Sequence, residues 1–118
     1  MKVIYIAGPY RADSEYGVKK NIDAAEEAAL FVWQCGGVAL CPHKNTAFFG
    51  GAYDILDRVW LEGDLELLKR CDGVYALSTW RSSKGATNEV YYAQEHGFPI
   101  FEQQLGDRML IHFLKEDE

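Results

Sequence analysis

Apolar residues follow two patterns along the chain, and together these patterns predict the secondary structure. Four short runs are almost entirely apolar, as is typical of strands that are buried on both faces. They cover residues 2–7, 38–41, 73–77 and 99–101. Between them, apolar residues recur at spacings of three and four, which predicts amphipathic helices. These helices cover residues 15–34, 55–70, 82–96 and 107–114.

The predicted elements alternate between strand and helix along the whole chain. Such alternation indicates an α/β fold, here a small doubly wound (Rossmann- or flavodoxin-like) parallel sheet of four to five strands with helices on both faces. The length of 118 residues suits a single domain over residues 1–118, with no visible linker or internal repeat. A sheet this small can leave an apolar helix face uncovered, so we expect a homodimer or higher homo-oligomer.

The charge balance argues against a nucleic acid polymer as a partner. The formal net charge is −6 at pH 7, whereas sequence-independent binding to nucleic acid requires a basic face. A small anionic ligand is compatible with this charge, because a local pocket can oppose the global balance.

The three cysteines limit the redox and metal chemistry that the chain can support. An odd number of cysteines without a signal peptide is typical of a reducing compartment. Cys41 and His43 have no second pair of ligands at metal-binding spacing, so no metal site is expected. The apolar start of the chain is too short for a signal peptide or a membrane span, so we expect a cytoplasmic protein without a membrane partner.

The stretch from Ser82 to Glu89 joins the third predicted strand to the third predicted helix. In a parallel sheet this junction lies at the carboxyl end of a strand, where open α/β folds bind their ligands. Ser82 or Ser83 can cap the helix, and Gly85 lets a ligand approach the backbone. Glu89 lies beside a stripe of small residues, where an unpaired carboxylate is costly to bury. The alternative is a surface glutamate on an ordinary capped helix.

The loop after the first strand provides further candidates for ligand binding. Gly8 and Arg11 follow the strand end, and a guanidinium suits a phosphate or a carboxylate. A solvated loop arginine is the alternative. The segment 43–54 is the least regular part of the chain, and its aromatic residues could form a lid or fold back on the core. His43 begins this segment and could either contact a ligand or make a structural hydrogen bond.

Asp64 is a second carboxylate in an apolar setting. It lies at helical spacing from Trp60 and Leu68, so it borders the predicted buried stripe of its helix. Burial there would raise the pKa of Asp64 and suit it to acid chemistry, unless a neighbouring cation such as Arg58 or Lys69 pairs with it. One ionised and one protonated carboxyl group are the pair that glycosidic cleavage requires. We therefore expect Glu89 as the nucleophile and Asp64 as the acid.

Several short motifs, in this order and spacing, resemble the nucleoside 2-deoxyribosyltransferase-like proteins. That family includes the transferases, the nucleoside 5′-monophosphate N-glycosidases and short bacterial and phage members of unassigned activity. The resemblance extends from Ile4 to Phe101. The motifs are Ile4-Tyr5-x-x-Gly8, Asp64-Leu65, Cys71-Asp72 and Ser83-x-Gly85-x-x-x-Glu89.

The resemblance implies a role for each matching residue. Glu89 matches the nucleophile that attacks C1′ of the sugar, expels the base and leaves a covalent glycosyl-enzyme. Tyr5 matches the tyrosine that holds this carboxylate by a hydrogen bond, and Asp64 matches the acid that assists the departing base. Ser83 matches the position that reads the 5′ end of the sugar, where the nucleotide hydrolases carry serine. No metal or organic cofactor is implied.

Three functions remain open at this point. A serine at a helix N-terminus accepts a phosphate better than a carboxylate would. This favours cleavage of the N-glycosidic bond of a (deoxy)nucleoside 5′-monophosphate. The first alternative is a nucleoside 2-deoxyribosyltransferase, in which a second base resolves the glycosyl-enzyme. The second is a nucleotide-binding or sensing domain without turnover.

Overall fold

A four-stranded parallel sheet forms the centre of the protein in a computed structural model that describes residues 1–116. Residues 117–118 of the expected domain lie outside the described residues. The strands, in the spatial order β2-β1-β3-β4, are β1 (Val3–Ala7), β2 (Val38–Leu40), β3 (Gly73–Ala76) and β4 (Ile100–Glu102). All neighbouring pairs are parallel. The predicted α/β class with a parallel sheet is confirmed, with four strands.

Within residues 1–116, five helices pack around this sheet. They are α1 (Glu15–Gln34), α2 (Pro42–Asn45), α3 (Asp57–Lys69), α4 (Lys84–Glu95) and α5 (Asp107–Lys115). Short 3-10 turns occupy Ala52–Asp54 and Trp80–Ser82. The single-turn helix α2 was not predicted, although Pro42 at its first position is a recognised start signal.

Side chains of β1 alternate between two apolar layers, one on each face of the sheet. Ile4 and Ile6 pack with residues of α1 and α5. Tyr5 and Ala7 point to the opposite face and pack with residues of α3 and α4. This alternation follows from the two-residue period of a strand, and it places Tyr5 between the sheet and the two helices that carry the candidate carboxylates.

The bounds of α1 follow from its capping residues. The Oγ atom of Ser14 accepts a hydrogen bond from the backbone N–H of Gly17, which satisfies a free donor of the first turn. Gly36 follows the helix with φ of 95°, a conformation that glycine adopts at little cost. The helical spacing predicts Trp33 near the apolar face that includes Ala29 and Val32, but the Trp33 side chain is 51% exposed. The apolar stripe of α1 is therefore wider than the surface that the sheet covers.

Helix α3 is much less buried than its pattern predicts. Ile55 precedes the helix, and Val59 is exposed. Trp60 and Leu67 are partly buried, which leaves Leu68 as the one fully buried residue of α3. Periodicity identifies the apolar face of a helix, but it does not say which element covers that face. Here Val59 remains 47% exposed.

The segment 46–56 is tightly turned and projects aromatic side chains into solvent. Phe48, Tyr53 and Asp54 all have positive φ, between 52° and 60°, a conformation that costs free energy for residues other than glycine. Tyr53 is almost fully exposed, and Phe48 is also exposed. These aromatic side chains do not fold back on the core, which was one of the two expected arrangements.

Within residues 1–116 no helix is both long and apolar enough to cross a membrane. The same residues contain no group of three or more histidine, cysteine, aspartate or glutamate side chains arranged to hold a metal ion.

Candidate active site

A hydrogen bond between Tyr5 and Glu89 forms the centre of the candidate site. The Tyr5 hydroxyl donates to Oε2 of Glu89, across the gap between the middle of β1 and the second turn of α4. Tyr5 is fully buried. Ala86 and Ala93 lie on the same face of α4 and are buried against the sheet. These small side chains let the helix approach closely enough for the carboxylate of Glu89 to reach the Tyr5 hydroxyl.

The surroundings of Glu89 favour its neutral form. Burial raises the pKa of Glu89 to about 8, the hydrogen bond from Tyr5 lowers it, and the charge of Asp64 raises it. Burial, together with the charges of Glu89 and Asp64, also raises the pKa of Tyr5 well above its usual range. The Tyr5 hydroxyl therefore remains a hydrogen-bond donor at all moderate pH values.

Asp64 is the second carboxyl group of the site. Burial raises the pKa of Asp64 to about 6, and it makes no salt bridge within residues 1–116. The expected alternative, a pair with Lys69, does not occur, because Lys69 lies beside Glu66 instead, with Nζ and Oε1 3.8 Å apart. Near pH 7 two interacting acids with these separated pKa values hold one proton between them, and Glu89, which has the higher pKa, carries it most of the time.

In the loop that follows β1, the side chains of His43 and Asn21 bind four consecutive backbone carbonyl groups. Nε2 of His43 lies 3.0 Å from the carbonyl oxygens of both Gly8 and Pro9. Nδ2 of Asn21 donates to the carbonyls of Tyr10 and Arg11, at 3.0 and 3.3 Å. His43 is 5% exposed, and burial lowers its pKa. The structure thus places His43 behind the loop as a neutral donor.

The next two side chains of this loop reach the segment 46–56 and the start of α3. The Tyr10 hydroxyl accepts a hydrogen bond from the backbone N–H of Phe48, at 2.7 Å. Nη2 of Arg11 lies 3.1 Å from Oδ2 of Asp57. The sequence placed Tyr10 beside the end of the first strand, but Asn21 and Asp57 were not identified as members of this arrangement. Asp57 could have been found, because it shares a face of α3 with Asp64 at a spacing of seven residues.

The remaining candidate residues, Gly8, Gly85 and Ser83, lie where the backbone turns at the end of a strand or the start of a helix. A Cβ atom added to Gly8 would lie 2.9 Å from Cδ2 of Leu77, so glycine is needed there for packing. A Cβ atom on Gly85 would meet only Oγ of Ser83, at 3.9 Å, which leaves space for a ligand. Oγ of Ser83 accepts from the N–H of Ala86 at 3.1 Å and caps α4, while its hydroxyl proton is free to be donated.

Tyr5, Asp64 and Glu89 thus interact electrostatically with one another, whereas His43 makes hydrogen bonds to the backbone of the loop. A surface groove of about 560 Å³ lies elsewhere, at the open edge of the sheet beside β2. The groove contains an ion pair, in which Nζ of Lys44 lies 2.5 Å from Oε1 of Glu26. We place the candidate active site at the carboxyl groups, because perturbed pKa values beside a shared hydrogen bond are typical of catalytic centres.

The sheet order and the placement of the helices define an α/β protein with the 2-deoxyribosyltransferase fold. The structure is similar to that of a 2-deoxyribosyltransferase from the psychrotolerant bacterium Bacillus psychrosaccharolyticus, with a TM-score of 0.60 and 20% identity over 85% of this chain and 70% of that chain. A conserved protein from Enterococcus faecalis V583 matches with a TM-score of 0.63 and 21% identity, over 86% of this chain and 62% of that one. The chain therefore spans less than two thirds of the second structure.

The chain belongs to the DUF4406 family, a domain of unknown function, whose model matches residues 2–102. No curated protein matches the sequence. The resemblance to the nucleoside 2-deoxyribosyltransferase-like proteins is confirmed at the level of the fold.

Proposed function

We propose that the protein cleaves the N-glycosidic bond of a (deoxy)nucleoside 5′-monophosphate. The observation that carries this proposal is the hydrogen bond from Tyr5 to Glu89 with Asp64 close enough to raise the pKa of both. Displacement at an anomeric carbon requires a carboxylate beside a protonated acid, so the one proton that the pair holds near pH 7 must lie on Asp64 when Glu89 attacks.

The proposed reaction has two steps. In the first, the ionised carboxylate of Glu89 attacks C1′ of the sugar, and the C1′–N bond breaks with its electron pair leaving on the base. Asp64 donates its proton to the departing base. In the second, water attacks C1′ and releases Glu89, while Asp64 takes up the proton of the water. Tyr5 holds the carboxylate of Glu89 in line with C1′ throughout.

Two features support a phosphate at the 5′ position of the sugar. Ser83 caps the N-terminus of α4 and has a hydroxyl proton free for donation, and helix N-termini favour anions. Arg11 provides an exposed cation on a loop whose backbone is held in place. Both groups suit a phosphate better than a neutral hydroxyl.

A second candidate function is base exchange by a nucleoside 2-deoxyribosyltransferase. It is supported by the fold shared with the Bacillus psychrosaccharolyticus 2-deoxyribosyltransferase. The first step would be identical, and a second base instead of water would attack C1′ in the second step. The third candidate, a nucleotide-binding domain without turnover, uses the same pocket without these steps.

A product assay separates the three functions. The protein is incubated with nucleosides and with their 5′-monophosphates, with and without a second free base, and the bases are separated by chromatography. We expect free base from a monophosphate without any added base. New nucleoside formed only with a second base would establish the transferase, and ligand-dependent thermal stabilisation without product would establish a binding domain.

A binding measurement tests the role of the 5′-phosphate. We expect the monophosphate to bind at least about tenfold more tightly than its nucleoside, because hydrogen bonds to charged groups contribute about 1.5–3 kcal/mol. Calorimetry on the Glu89→Gln variant measures both affinities without turnover. Equal or weaker binding of the monophosphate would contradict the assignment of Ser83 and Arg11.

We also propose that the protein forms a homo-oligomer through the groove at the open edge of the sheet. The groove is lined by residues of α1, β2 and α2 and by Leu67, and Trp33 and Leu30 on its rim are each about half exposed. A twofold interface brings a surface against itself, so the rim residues of one copy can enter the groove of the other.

Trp33→Asp is expected to shift the protein towards monomer in sedimentation velocity experiments, because burying an unpaired carboxylate in an apolar interface is unfavourable. Tyr16→Asp is the matched control, since Tyr16 is an exposed aromatic residue on the same helix outside the groove. A wild-type monomer, or an oligomer unaffected by Trp33→Asp, would contradict this interface.

A further inference from the structure

The guanidinium of Arg11, which we assign to the phosphate of the ligand, already has an anionic partner in this structure. Nη2 of Arg11 lies 3.1 Å from Oδ2 of Asp57, and the two side chains are 70% and 58% exposed. Asp57 lies in the first turn of α3, on the same face as Trp60 and Asp64. Seven residues of helix rise by about 10.5 Å, so Asp57 lies two turns from the candidate acid on the same face of α3.

The contact between Arg11 and Asp57 allows the Arg11 side chain to leave Asp57 and bind another anion. Both side chains are largely exposed to water, and exposed ion pairs contribute little to stability. The backbone of Arg11 does not depend on Asp57, because its carbonyl is bound by Asn21. The side chain can therefore change its partner while the loop stays in place.

We propose that Asp57 is a specificity-determining residue that competes with the ligand's phosphate for Arg11. This inference rests on the proposed nucleotide substrate. With Asp57 in place, a phosphate must displace a carboxylate from Arg11 and then lie close to that carboxylate, and both effects weaken its binding. The site therefore discriminates against weakly held anions and admits a phosphate whose sugar is also bound between Tyr5 and Asp64.

The opposite role for Asp57 makes the opposite prediction. If Asp57 oriented Arg11 towards the phosphate, its removal would weaken phosphate binding. The sign of the effect of Asp57→Asn therefore separates competition from positioning.

The test is calorimetric titration with 2-deoxyribose 5-phosphate, with 2-deoxyribose as the uncharged reference. We expect Asp57→Asn to tighten the binding of 2-deoxyribose 5-phosphate roughly two- to fivefold, the equivalent of losing one exposed ion pair. Binding of 2-deoxyribose should not change. Asp54→Asn is the matched control, because Asp54 is exposed, lies three residues away and makes no ion pair within residues 1–116.

A double-variant cycle connects the effect to Arg11. In an Arg11→Gln background, Asp57→Asn should tighten phosphate binding no more than Asp54→Asn does. The inference is overturned if Asp57→Asn weakens binding, if it matches Asp54→Asn in the wild-type background, or if neither the wild type nor Asp57→Asn binds the phosphate. Base release by the wild-type protein is measured separately, so failure of the proposed reaction can be told apart from failure of this inference.

Discussion

Glu89→Gln is expected to abolish base release, by at least about three orders of magnitude, in a protein that remains folded. The amide of glutamine preserves the shape of the side chain and accepts the hydrogen bond from Tyr5, but it cannot form the glycosyl ester. Chromatographic detection of the free base measures the loss. Glu95→Gln is the control, since Glu95 is an exposed glutamate on the same helix, and it should retain full activity.

The same substitution is expected to stabilise the protein at alkaline pH. The folded-state pKa of Glu89 is about 8, raised from 4.5 by burial, so the folded state binds more protons than the unfolded state between these values. Stability of the wild type is therefore lost as the pH rises through about 8. Glu89→Gln lacks this cost, so its advantage in free energy of unfolding should grow to the order of a few kcal/mol at pH 9 and vanish near pH 4. Denaturant unfolding at the two pH values tests this, and an equal difference at both would contradict the buried carboxylate.

Tyr5→Phe separates the positioning of Glu89 from its nucleophilic role. Loss of the hydrogen bond from Tyr5 removes the effect that lowers the pKa of Glu89. We therefore expect partial activity that needs a higher pH than the wild type. Complete inactivity at every pH, in a folded variant, would show that Tyr5 does more than hold the carboxylate.

Asp64→Asn is expected to change the shape of the pH profile as well as the rate. In the wild type the pair titrates with apparent pKa values of about 6 and about 8, and the reaction requires one proton on the pair. kcat/KM should therefore be bell-shaped, with its maximum midway, at about pH 7. Asp64→Asn removes the general acid, which costs about 10²–10⁴ in rate.

The pH dependence of the residual activity of Asp64→Asn should follow the ionisation of Glu89 alone. It should rise with pH to a plateau and show no alkaline decline from the pair. Its single pKa should lie below about 8, because the charge of Asp64 raises the pKa of Glu89 in the wild type. Glu62→Gln, a change of an exposed acid on the same helix, should retain the bell-shaped profile. A bell-shaped profile in Asp64→Asn would show that another group supplies the acid.

The sequence by itself determined the elements whose signals are local. The start of α1 follows from the hydroxyl of Ser14, and its end follows from a glycine that can adopt positive φ. Strands and helices alternate, which requires a parallel sheet. The small-residue stripe on α4 also predicted which face of that helix packs on the sheet, because this signal depends on neighbours within one helix, whereas it left open whether Glu89 lies at the surface.

Only the tertiary structure decided which distant side chains meet. The hydrogen bond between Tyr5 and Glu89 joins residues 84 positions apart, and no spacing rule predicts such a contact; the resemblance to a known family suggested it. The strand order, the exposure of Val59 on α3, and the pairing of Arg11 with Asp57 likewise depend on how the elements pack together. The raised pKa values of both carboxyl groups have the same origin, since burial is a property of the packed protein and not of any segment of its chain.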